Sequence, residues 1–319
     1  MQFSQKHKDK NINIFFVVII TKKMNTPVIS CNIIGGLGNQ LFQIMTTMAY
    51  GIRNKCVFLF PYETKVLNRY TFWDTFLSKI KQFTTNNNHS KLKNMDLHYF
   101  PKYTEPTFHY TPIPFFGKSY FLNGYFQSYK YFDDEKTSIF KMIHLEENRQ
   151  LVKSEFFHYF SEGEKEEKPV LISMHFRLGD YKNLPTYHPI LPIEYYRKSL
   201  EYLFLHNGLN EKRCKILYCC EEVDNETVLL NIHYLKNVFP QQSLEFVKVS
   251  DDICDWKQMI LMSLCDHHII ANSTFSWWSA YFNINGDKIV CYPSIWFGVS
   301  LQNKKVTDMY PSSWTRIDI

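Results

Sequence analysis

The sequence lacks several short motifs that would each assign a function on their own. None of the eight cysteines forms a CxxC pair, which argues against a zinc ribbon and a thioredoxin-like redox site. With only 11 glycines, the chain has no GxGxxG fingerprint, and no Walker lysine follows the glycines at 35, 36 and 38. The apolar run Ile14–Ile20 is far shorter than the ~20 residues of a membrane-spanning helix. The cysteines lie mostly in apolar runs and are predicted to be reduced and buried.

The composition indicates a globular protein with no general affinity for nucleic acid. At one domain per ~150 residues, 319 residues predict two domains, and the 45% hydrophobic content is ample for two cores. Aromatic residues make up 17% of the chain and serve mainly a core, with a sugar-stacking cleft as the alternative. The 36 basic and 31 acidic residues are scattered, so the net charge of +5 gives no dominant basic surface.

The apolar run Ile14–Ile20 leaves two interpretations open. It could be the hydrophobic region of a signal peptide, but no small-residue cleavage site follows it. We favour an N-terminal extension over residues 1–24 and therefore predict a cytoplasmic protein. A Golgi or membrane-associated location follows instead if the run acts as an anchor.

The predicted elements divide the chain into two α/β domains. Segment 161–169 has no apolar residue and is predicted to separate an N-terminal domain (25–163) from a C-terminal Rossmann-like domain (168–319). A solvated loop inside one domain would look the same. The second domain alternates strands with helices, as is typical of a parallel sheet. Its strands are predicted near 170–176, 215–220, 244–249, 267–272 and 288–292.

A glycine-rich turn follows the first predicted strand. The strand covers Val28–Ile34, and a helical pattern over Leu41–Tyr50 follows the turn Gly35–Gln40. The backbone can approach a ligand closely at such a turn, and the helix N-terminus favours negative charge. A glycine turn that merely starts a helix is the alternative. A dinucleotide site is not favoured, because Leu41 stands at the third glycine position.

A second candidate is the segment Met174–Tyr181, which follows the apolar run Val170–Ser173. Parallel sheets bind ligands at the carboxyl ends of their strands, and Arg177 occupies such a position. The planar arginine fork binds two phosphate oxygens at once and keeps its charge. We therefore predict that Arg177 contacts an anion.

A third candidate lies where a later strand gives way to a helix. The strand is predicted to end at Asn272 and the helix to begin within Ser273–Ser276. Backbone N–H groups and hydroxyls would then converge where the helix dipole is positive, which suits a phosphate. A simple helix cap by Ser273 or Thr274 is the alternative. Together with Arg177, this segment predicts a nucleoside-diphosphate ligand.

The residues do not favour a bound metal ion. The chain has no Asp-x-Asp pair, the usual carboxylate pair for a divalent ion on a sugar nucleotide. His267, His268 and Cys265 have the right chemistry for ligands, but adjacent histidines face opposite sides of a strand. We therefore predict that positive side chains and helix dipoles stabilise a leaving diphosphate without a metal.

Four motifs in this order resemble the α1,2-fucosyltransferase family over roughly residues 28–295. They cover Gly35–Gln43, Gly124–Ser128, His175–Tyr181 and Ala271–Trp278. The resemblance implies a GT-B-like fold, in which two Rossmann-like α/β domains face each other across a cleft. It also implies an inverting hexosyltransferase that moves L-fucose from GDP-L-fucose to a sugar hydroxyl, such as O-2 of a galactoside. Its partners would be the sugar-nucleotide donor and a glycan acceptor, with no cofactor and no required metal.

The resemblance also implies roles for single residues. Arg177 takes the place of the first arginine in the family motif His-x-Arg-Arg-Gly-Asp, the one expected at the β-phosphate, and Leu178 replaces the second. Asp180 and His175 are the nearest candidates for a general base, with a salt-bridge or structural role as the alternative for each. The expected donor contacts are Asn272, Ser273, Thr274, Phe275 and Ser276. The expected acceptor or pyrophosphate contacts are Gly36, Gly38, Asn39 and Gln40.

The chain departs from the family pattern at two further places. Cys220-Glu221-Glu222 stands where the family often has Ser-Asp-Asp, which keeps acidity but changes reach, and Gln258 stands where an Asp is usual. A catalytically silent glycan- or nucleotide-binding relative is the main alternative. A nicotinamide-dependent oxidoreductase is a weaker one, because Phe60–Tyr62 offers no acid at the end of the second strand.

Overall fold

The computed structural model describes residues 26–86, 95–161, 168–206 and 208–319. The apolar run Ile14–Ile20 therefore lies outside the described residues, as does most of the polar segment 161–169. Within the described ranges, no helix has the combination of length and apolar character needed to cross a membrane.

Contacts within the chain group the described residues into two compact units. The first unit contains the described residues up to Gly35 together with Asn39–Ile143, and the second contains Gly36–Gly38 together with His144–Ile319. The division at Ile143 falls before segment 161–169, the domain boundary predicted from the sequence.

The buried Arg149 shows why residues after Ile143 belong to the second unit. Its Nη1 donates to the carbonyl oxygens of Ser263 and Phe282, both at 3.0 Å, and to the Ser263 hydroxyl at 2.8 Å. Both partners lie at helix C-termini, whose last carbonyls have no partner inside the helix. The segment around Arg149 is thus part of the second unit's core.

The helices and strands follow in chain order. The strands of the first unit are β1 (Val28–Cys31), β2 (Val57–Phe58), β3 (Lys65–Val66), β4 (Arg69–Tyr70), β5 (Lys102–Thr104) and β6 (Tyr120–Asn123). Its α-helices are α1 (Leu37–Asn54), which starts in the glycine turn, and α2 (Lys136–Met142). The α-helices of the second unit are α3 (Leu145–Glu155), α4 (Ile193–His206), α5 (Asn225–Val238), α6 (Asp255–Met262) and α7 (Thr274–Phe282). Its strands are β7 (Val170–His175), β8 (Cys214–Cys219), β9 (Leu244–Lys248), β10 (His267–Ile269), β11 (Val290–Pro293) and β12 (Thr315–Ile317).

The first unit is built on a parallel four-stranded sheet with the order β2-β1-β6-β5. Strand β1 is buried along its whole length because it is central and pairs with β2 on one side and β6 on the other. The motifs Gly35–Gln43 and Gly124–Ser128 follow β1 and β6, so both lie at the carboxyl edge of this sheet. Strands β3 and β4 form a separate antiparallel pair.

The second unit is built on a parallel six-stranded sheet with the order β12-β11-β10-β7-β8-β9. Counted in chain order within the unit, this is 3-2-1-4-5-6, the strand order of dinucleotide-binding Rossmann folds. The order reverses between β7 and β10, and ligands of such sheets bind at the carboxyl ends of the strands flanking this point. The predicted α/β class, with one parallel Rossmann-like sheet in each of two units, is confirmed.

The local structure departs from the sequence patterns in three places. Apolar residues recur at helical spacing over Phe72–Phe83, which is typical of an α-helix, but they form only a short 3₁₀ helix, Ser78–Phe83, in which Ile80 and Phe83 are buried. Strand β12 was not predicted. The cysteines are all free within the described chain, but Cys254 is exposed because it precedes the first turn of α6.

Candidate functional site

The crevice between β7 and β10 brings two of the predicted motifs together in the second unit. Strand β7 ends at His175 and leads into Arg177, while β10 ends at Ile269 and leads into Ser273 and α7. The two strands are neighbours in parallel register, with Ile269 opposite Met174. The Tyr181 hydroxyl joins the two segments by donating to the carbonyl of Asn272 at 3.0 Å. The strand order therefore places the predicted anion-binding residues at one edge of one sheet.

Arg177 is held by two carboxylates and one aromatic ring. Its Nη1 donates to Glu221 and its Nη2 to Asp180, and its guanidinium carbon lies 4.8 Å from the centre of the Tyr181 ring. The Arg177 side chain is 19% exposed, whereas Glu221 and Asp180 are each almost half exposed. We refer to Arg177, Asp180 and Glu221 as the arginine triad. Its guanidinium is fixed in direction and open to a ligand on part of its surface.

The buried Asp224 fixes the backbone of the same loop. Its Oδ2 accepts a hydrogen bond from the Gly179 N–H at 2.7 Å, and its Oδ1 pairs with the Lys182 ammonium at 2.6 Å. Gly179 has a positive φ of 35°, which disfavours residues with a side chain. Asp224 is fully buried and thus depends on these two partners for its stability. Asp224 was not predicted from the sequence, and Glu221 was noted there only as a departure from the family pattern, because their partners lie more than forty positions away in the chain.

The N-terminus of α7 contributes dipole and hydroxyl groups. Ser273 is the N-cap residue, and its hydroxyl accepts from the Phe275 N–H at 3.3 Å. The Ser276 hydroxyl donates to the Ser273 carbonyl at 3.3 Å and accepts from the Ala271 N–H at 3.2 Å, so it is committed to shaping the turn. Thr274 begins the helix itself. The helix cap considered as an alternative is therefore present, and the free N–H groups of the first turn remain suited to an anion.

Asn272 carries an unused acceptor at this edge. Its side-chain nitrogen donates to the carbonyls of Pro189 at 2.9 Å and Trp296 at 3.4 Å. Its Oδ1 is buried and has no hydrogen-bond partner in the described chain. A buried polar atom without a partner is costly, so this oxygen is a candidate for contact with a ligand donor.

His175 is buried and held neutral. Burial, together with the nearby charge of Arg177, lowers the pKa of its imidazole to about 3. The ring lies 5.3 Å from the Phe275 ring, and Nδ1 has no hydrogen-bond partner among the described residues. The neutral imidazole thus connects the end of β7 to the start of α7 without adding charge.

His188 lies beside the site and was not predicted from the sequence. It stacks on the Tyr181 ring with centroids 4.8 Å apart, and burial lowers its pKa. Its Nδ1 has no partner within the described ranges. His188 lies outside every motif, so the sequence carried no signal for it.

Part of the glycine turn packs against α7. The Trp278 indole N–H donates to the Gly38 carbonyl at 2.8 Å, and a side chain at position 38 would come within 2.5 Å of the Thr274 backbone. Gly38 is therefore required by close approach. Gly36 has open space around its Cα and has no comparable constraint.

Asn39 and Gln40 lie in the first unit and are engaged by neutral partners. The Gln127 amide donates to Asn39 Oδ1 at 2.8 Å, and the Gln40 amide donates to the carbonyls of Gly35 at 3.0 Å and Tyr70 at 2.8 Å. We call Asn39, Gln40 and Gln127 the amide cluster. The side-chain oxygens of Gln40 and Gln127 are buried and have no partner in the described part of the chain.

A cavity of about 390 Å³ lies beyond the carboxyl end of β9, on the same edge of the sheet as the arginine triad. Its aromatic wall includes His158 and Tyr159, whose ring centroids are 4.3 Å apart. The Tyr159 hydroxyl accepts from the Ser250 N–H at 3.0 Å, which holds this wall against the loop after β9. The remaining lining residues are Glu155, Phe156, Asp252, Ile253, Cys254 and Lys257.

Gln258 shapes the loop that lines this cavity. Its amide donates to the Ile253 carbonyl at 2.7 Å and to the Ser250 carbonyl at 3.4 Å. An aspartate, the usual family residue here, could not donate these bonds when ionised. No group of three or more His, Cys, Asp or Glu side chains in the described ranges is arranged to hold a metal ion.

Comparisons with known proteins agree with the motif resemblance. The O-antigen biosynthesis glycosyltransferase WbnK of Escherichia coli is 33% identical over 147 residues, which cover 43% of this chain and 43% of that protein. An alpha-1,2-colitosyltransferase of Escherichia coli is 30% identical over 151 residues, which cover 46% of this chain and 47% of that protein. The chain thus aligns with less than half the length of either relative.

A solved structure and a family model extend over more of the chain. A mutant of Arabidopsis thaliana FUT1 in complex with GDP is 12% identical, with a TM-score of 0.46, and the match covers 88% of this chain and 75% of that one. The model of the family described as glycosyl transferase family 11 matches residues 3–318. Because this match covers nearly the whole sequence, the chain belongs to glycosyl transferase family 11.

Proposed function

We propose that this protein transfers L-fucose from GDP-L-fucose to a sugar hydroxyl, O-2 of a galactoside, with inversion at the anomeric carbon. The observation that carries the proposal is the position of Arg177, at the strand-order reversal and beside the N-terminus of α7. A fixed guanidinium and a helix N-terminus on one sheet edge suit a diphosphate. The family membership supports glycosyl transfer as the reaction.

The proposed reaction is a direct displacement. The acceptor oxygen attacks C1 of fucose while the bond from C1 to the phosphate oxygen breaks, and the electron pair of that bond stays on departing GDP. The acceptor proton passes to a general base. Arg177 and the N–H groups of the first turn of α7 stabilise the charge that develops on the β-phosphate, without a metal.

Asp180 is the better candidate for the general base. Its carboxylate is 47% exposed, so an acceptor hydroxyl can approach it. His175 is buried, and a pKa of about 3 makes its imidazole a weak acceptor of protons near neutral pH. We therefore assign His175 a positioning role between β7 and α7.

The cavity beyond β9 is proposed to hold the nucleoside half of the donor. Neighbouring strands lie ~4.8 Å apart, so the ends of β7 and β9 are roughly 10 Å apart, a separation that a nucleoside can span. Its aromatic wall offers a stacking surface for a base. Replacement of His158 by Ala should weaken binding of GDP but not of inorganic pyrophosphate, and equal weakening of both would contradict this placement.

The remaining predicted contacts are assigned by their surroundings. Gly38 packs on Thr274 and is proposed to lie on the pyrophosphate side together with Gly36. Asn39 and Gln40 belong to the amide cluster and are proposed to contact the acceptor sugar, whose hydroxyls suit amide partners.

The decisive experiment is a transfer assay with product analysis. The protein is incubated with GDP-L-fucose and a panel of β-galactosides and other glycans, with and without EDTA, and the linkage of any product is determined. A parallel series with a colitose donor is included because one relative bears that activity in its name. We expect EDTA-insensitive fucosyl transfer to O-2 of galactose.

Three other outcomes would change the assignment. Transfer of colitose but not of fucose would replace the donor and keep the reaction type. Loss of transfer with EDTA would contradict the metal-free mechanism. Tight GDP binding without transfer to any acceptor would favour the catalytically silent relative.

A further inference from the structure

The arginine triad poses a problem for the proposed binding of a diphosphate. Both terminal nitrogens of Arg177 already donate to carboxylates, Nη1 to Glu221 and Nη2 to Asp180. The triad carries one positive and two negative charges. An incoming anion would therefore meet a net negative charge and an occupied fork.

The two carboxylates of the triad differ in how firmly they are held. Asp180 belongs to the same short 3₁₀ helix that follows Arg177, Gly179–Asn183, so its backbone moves with the loop. Glu221 follows β8 on a different segment and is 46% exposed. Within the described chain, Arg177 is the only hydrogen-bonding partner of the Glu221 side chain. Glu221 is therefore the carboxylate that can leave at lower cost.

Glu221 reaches Arg177 because Gly179 leaves room for it. A side chain at position 179 would collide with the Glu221 carboxylate. The longer glutamate, in place of the family's usual Ser-Asp-Asp pattern, thus meets a loop that is open at the right position. The contact between Glu221 and Arg177 therefore depends on the length of the Glu221 side chain as well as on its charge.

We propose that Glu221 occupies the place of the donor diphosphate on Arg177 and exchanges with it during each catalytic cycle. The inference rests on the proposed function. When the donor binds, its phosphate oxygens replace Glu221 at Nη1. When GDP leaves, Glu221 returns and keeps the guanidinium paired. Glu221 thereby weakens binding of both donor and product, which favours release of GDP.

The test compares GDP binding by calorimetry for the full-length protein and three variants. Glu221→Gln keeps the size of the side chain and removes its charge. Glu221→Asp keeps the charge and shortens the reach. Glu222→Gln is the matched control, because it removes the same charge one residue away, and the exposed Glu222 makes no ion pair within the described ranges. Thermal unfolding confirms that each variant is folded.

We expect Glu221→Gln to bind GDP about two- to fivefold more tightly, the range for loss of one partly exposed ion pair. Glu221→Asp should also bind more tightly, because the shorter carboxylate no longer reaches Arg177, and Glu222→Gln should change little. The inhibition constant for GDP should fall by the same factor as the KM of the donor, because both ligands carry the diphosphate.

The outcomes separate this inference from the proposed function. Unchanged or weaker binding by Glu221→Gln, or equal tightening by Glu222→Gln, would overturn the exchange and leave the donor site intact. If the wild type does not bind GDP, or Arg177→Ala binds it as well as the wild type, the donor site itself is wrong and the exchange falls with it.

Discussion

The two units carry their motifs at the same topological position, but the side chains there are neutral in the first unit and ionisable in the second. In the first unit, the motifs follow β1 and β6 at the carboxyl edge, and the amide cluster there is neutral. In the second unit, the motifs follow β7 and β10, and the arginine triad and the pair Lys182–Asp224 are built from ionisable side chains in salt bridges. The same parallel-sheet geometry thus supports two chemistries. The residues after the strands, rather than the sheet, decide which ligand group each edge can hold.

The largest expected effect comes from removing Arg177, the cation of the arginine triad in the second unit. Arg177→Ala removes charge-assisted hydrogen bonds and should lower fucosyl transfer and GDP affinity more than tenfold, which corresponds to over ~1.4 kcal/mol. The transfer rate and GDP affinity of Arg177→Lys should lie between those of the wild type and Arg177→Ala, because an ammonium cannot bind two phosphate oxygens in a fork. Steady-state kinetics and calorimetry check both. More than a tenth of wild-type transfer in Arg177→Ala would exclude the phosphate role.

The next effect tests whether the amide cluster supports the fold as well as a ligand. Gln40→Ala leaves the carbonyls of Gly35 and Tyr70 without this donor. The free energy of unfolding should fall by about 1–3 kcal/mol, measured by urea denaturation. Gln150→Ala is the control, because Gln150 is an exposed glutamine whose side chain, among the described residues, bonds to Glu146 across one helical turn. Equal losses of unfolding free energy in both variants would show that the buried hydrogen bonds of Gln40 do not stabilise the fold more than an exposed one does.

A third prediction uses the neutral histidine of the second unit. The pKa of His175 is about 3 in the folded protein, against ~6.5 in an unfolded chain. Between these values the unfolded chain binds more protons. The contribution of neutral His175 to the free energy of unfolding is therefore fully present above about pH 6.5. It falls as the pH drops, by up to about 1.4 kcal/mol per pH unit.

Urea denaturation at about pH 7.5 and 5.5 measures this effect. His175→Phe should reduce the difference between the two conditions, because it removes one group that must take up a proton on unfolding. The exposed His206 provides the control variant, His206→Asn. Burial also lowers the pKa of His267 and His268, so part of the acid sensitivity should remain in His175→Phe. An unchanged pH dependence would contradict the neutral state of His175.

The smallest expected effect concerns the hydrogen bond that links the Arg177 loop to the segment before α7. Tyr181→Phe removes the hydrogen bond to the Asn272 carbonyl but keeps the ring beneath Arg177. GDP affinity should fall only by about two- to fivefold, equivalent to about 0.5–1 kcal/mol. Tyr181→Ala removes the ring as well and should cost more. If the two variants weaken GDP binding equally, the ring contributes nothing to the orientation of Arg177.

The sequence predicted which strands lead into the site, because apolar runs stop where polar motifs begin. The end of β7 was predicted within one residue, but β10 ends at Ile269 and not at the predicted Asn272. Arg177 and Ser273 were placed in this way, and the resemblance at family level is confirmed by the family match. Their roles in binding stay predictions, as does the cleft between two facing domains. Strand β12 was missed, since three residues at a sheet edge carry little periodic signal.

The long-range contacts that position the site residues could not be predicted from the sequence. Glu221 and Asp224 reach the Arg177 loop across more than forty residues, and one sequence without relatives does not reveal such pairs. The glycine turn illustrates the same limit. It was predicted with the first domain, yet Gly36–Gly38 belongs by its contacts to the second unit, because Gly38 packs on α7.

The bond between Trp278 and Gly38 has a consequence for synthesis and for protein engineering. These residues are 240 positions apart, so the hydrogen bond can form only after α7 has been synthesised. A fragment beginning at His144 would contain every strand of the second sheet but would leave the buried Trp278 indole N–H without its acceptor. The second unit is therefore continuous in space but not in sequence, and dividing the gene at the unit boundary would not yield it whole.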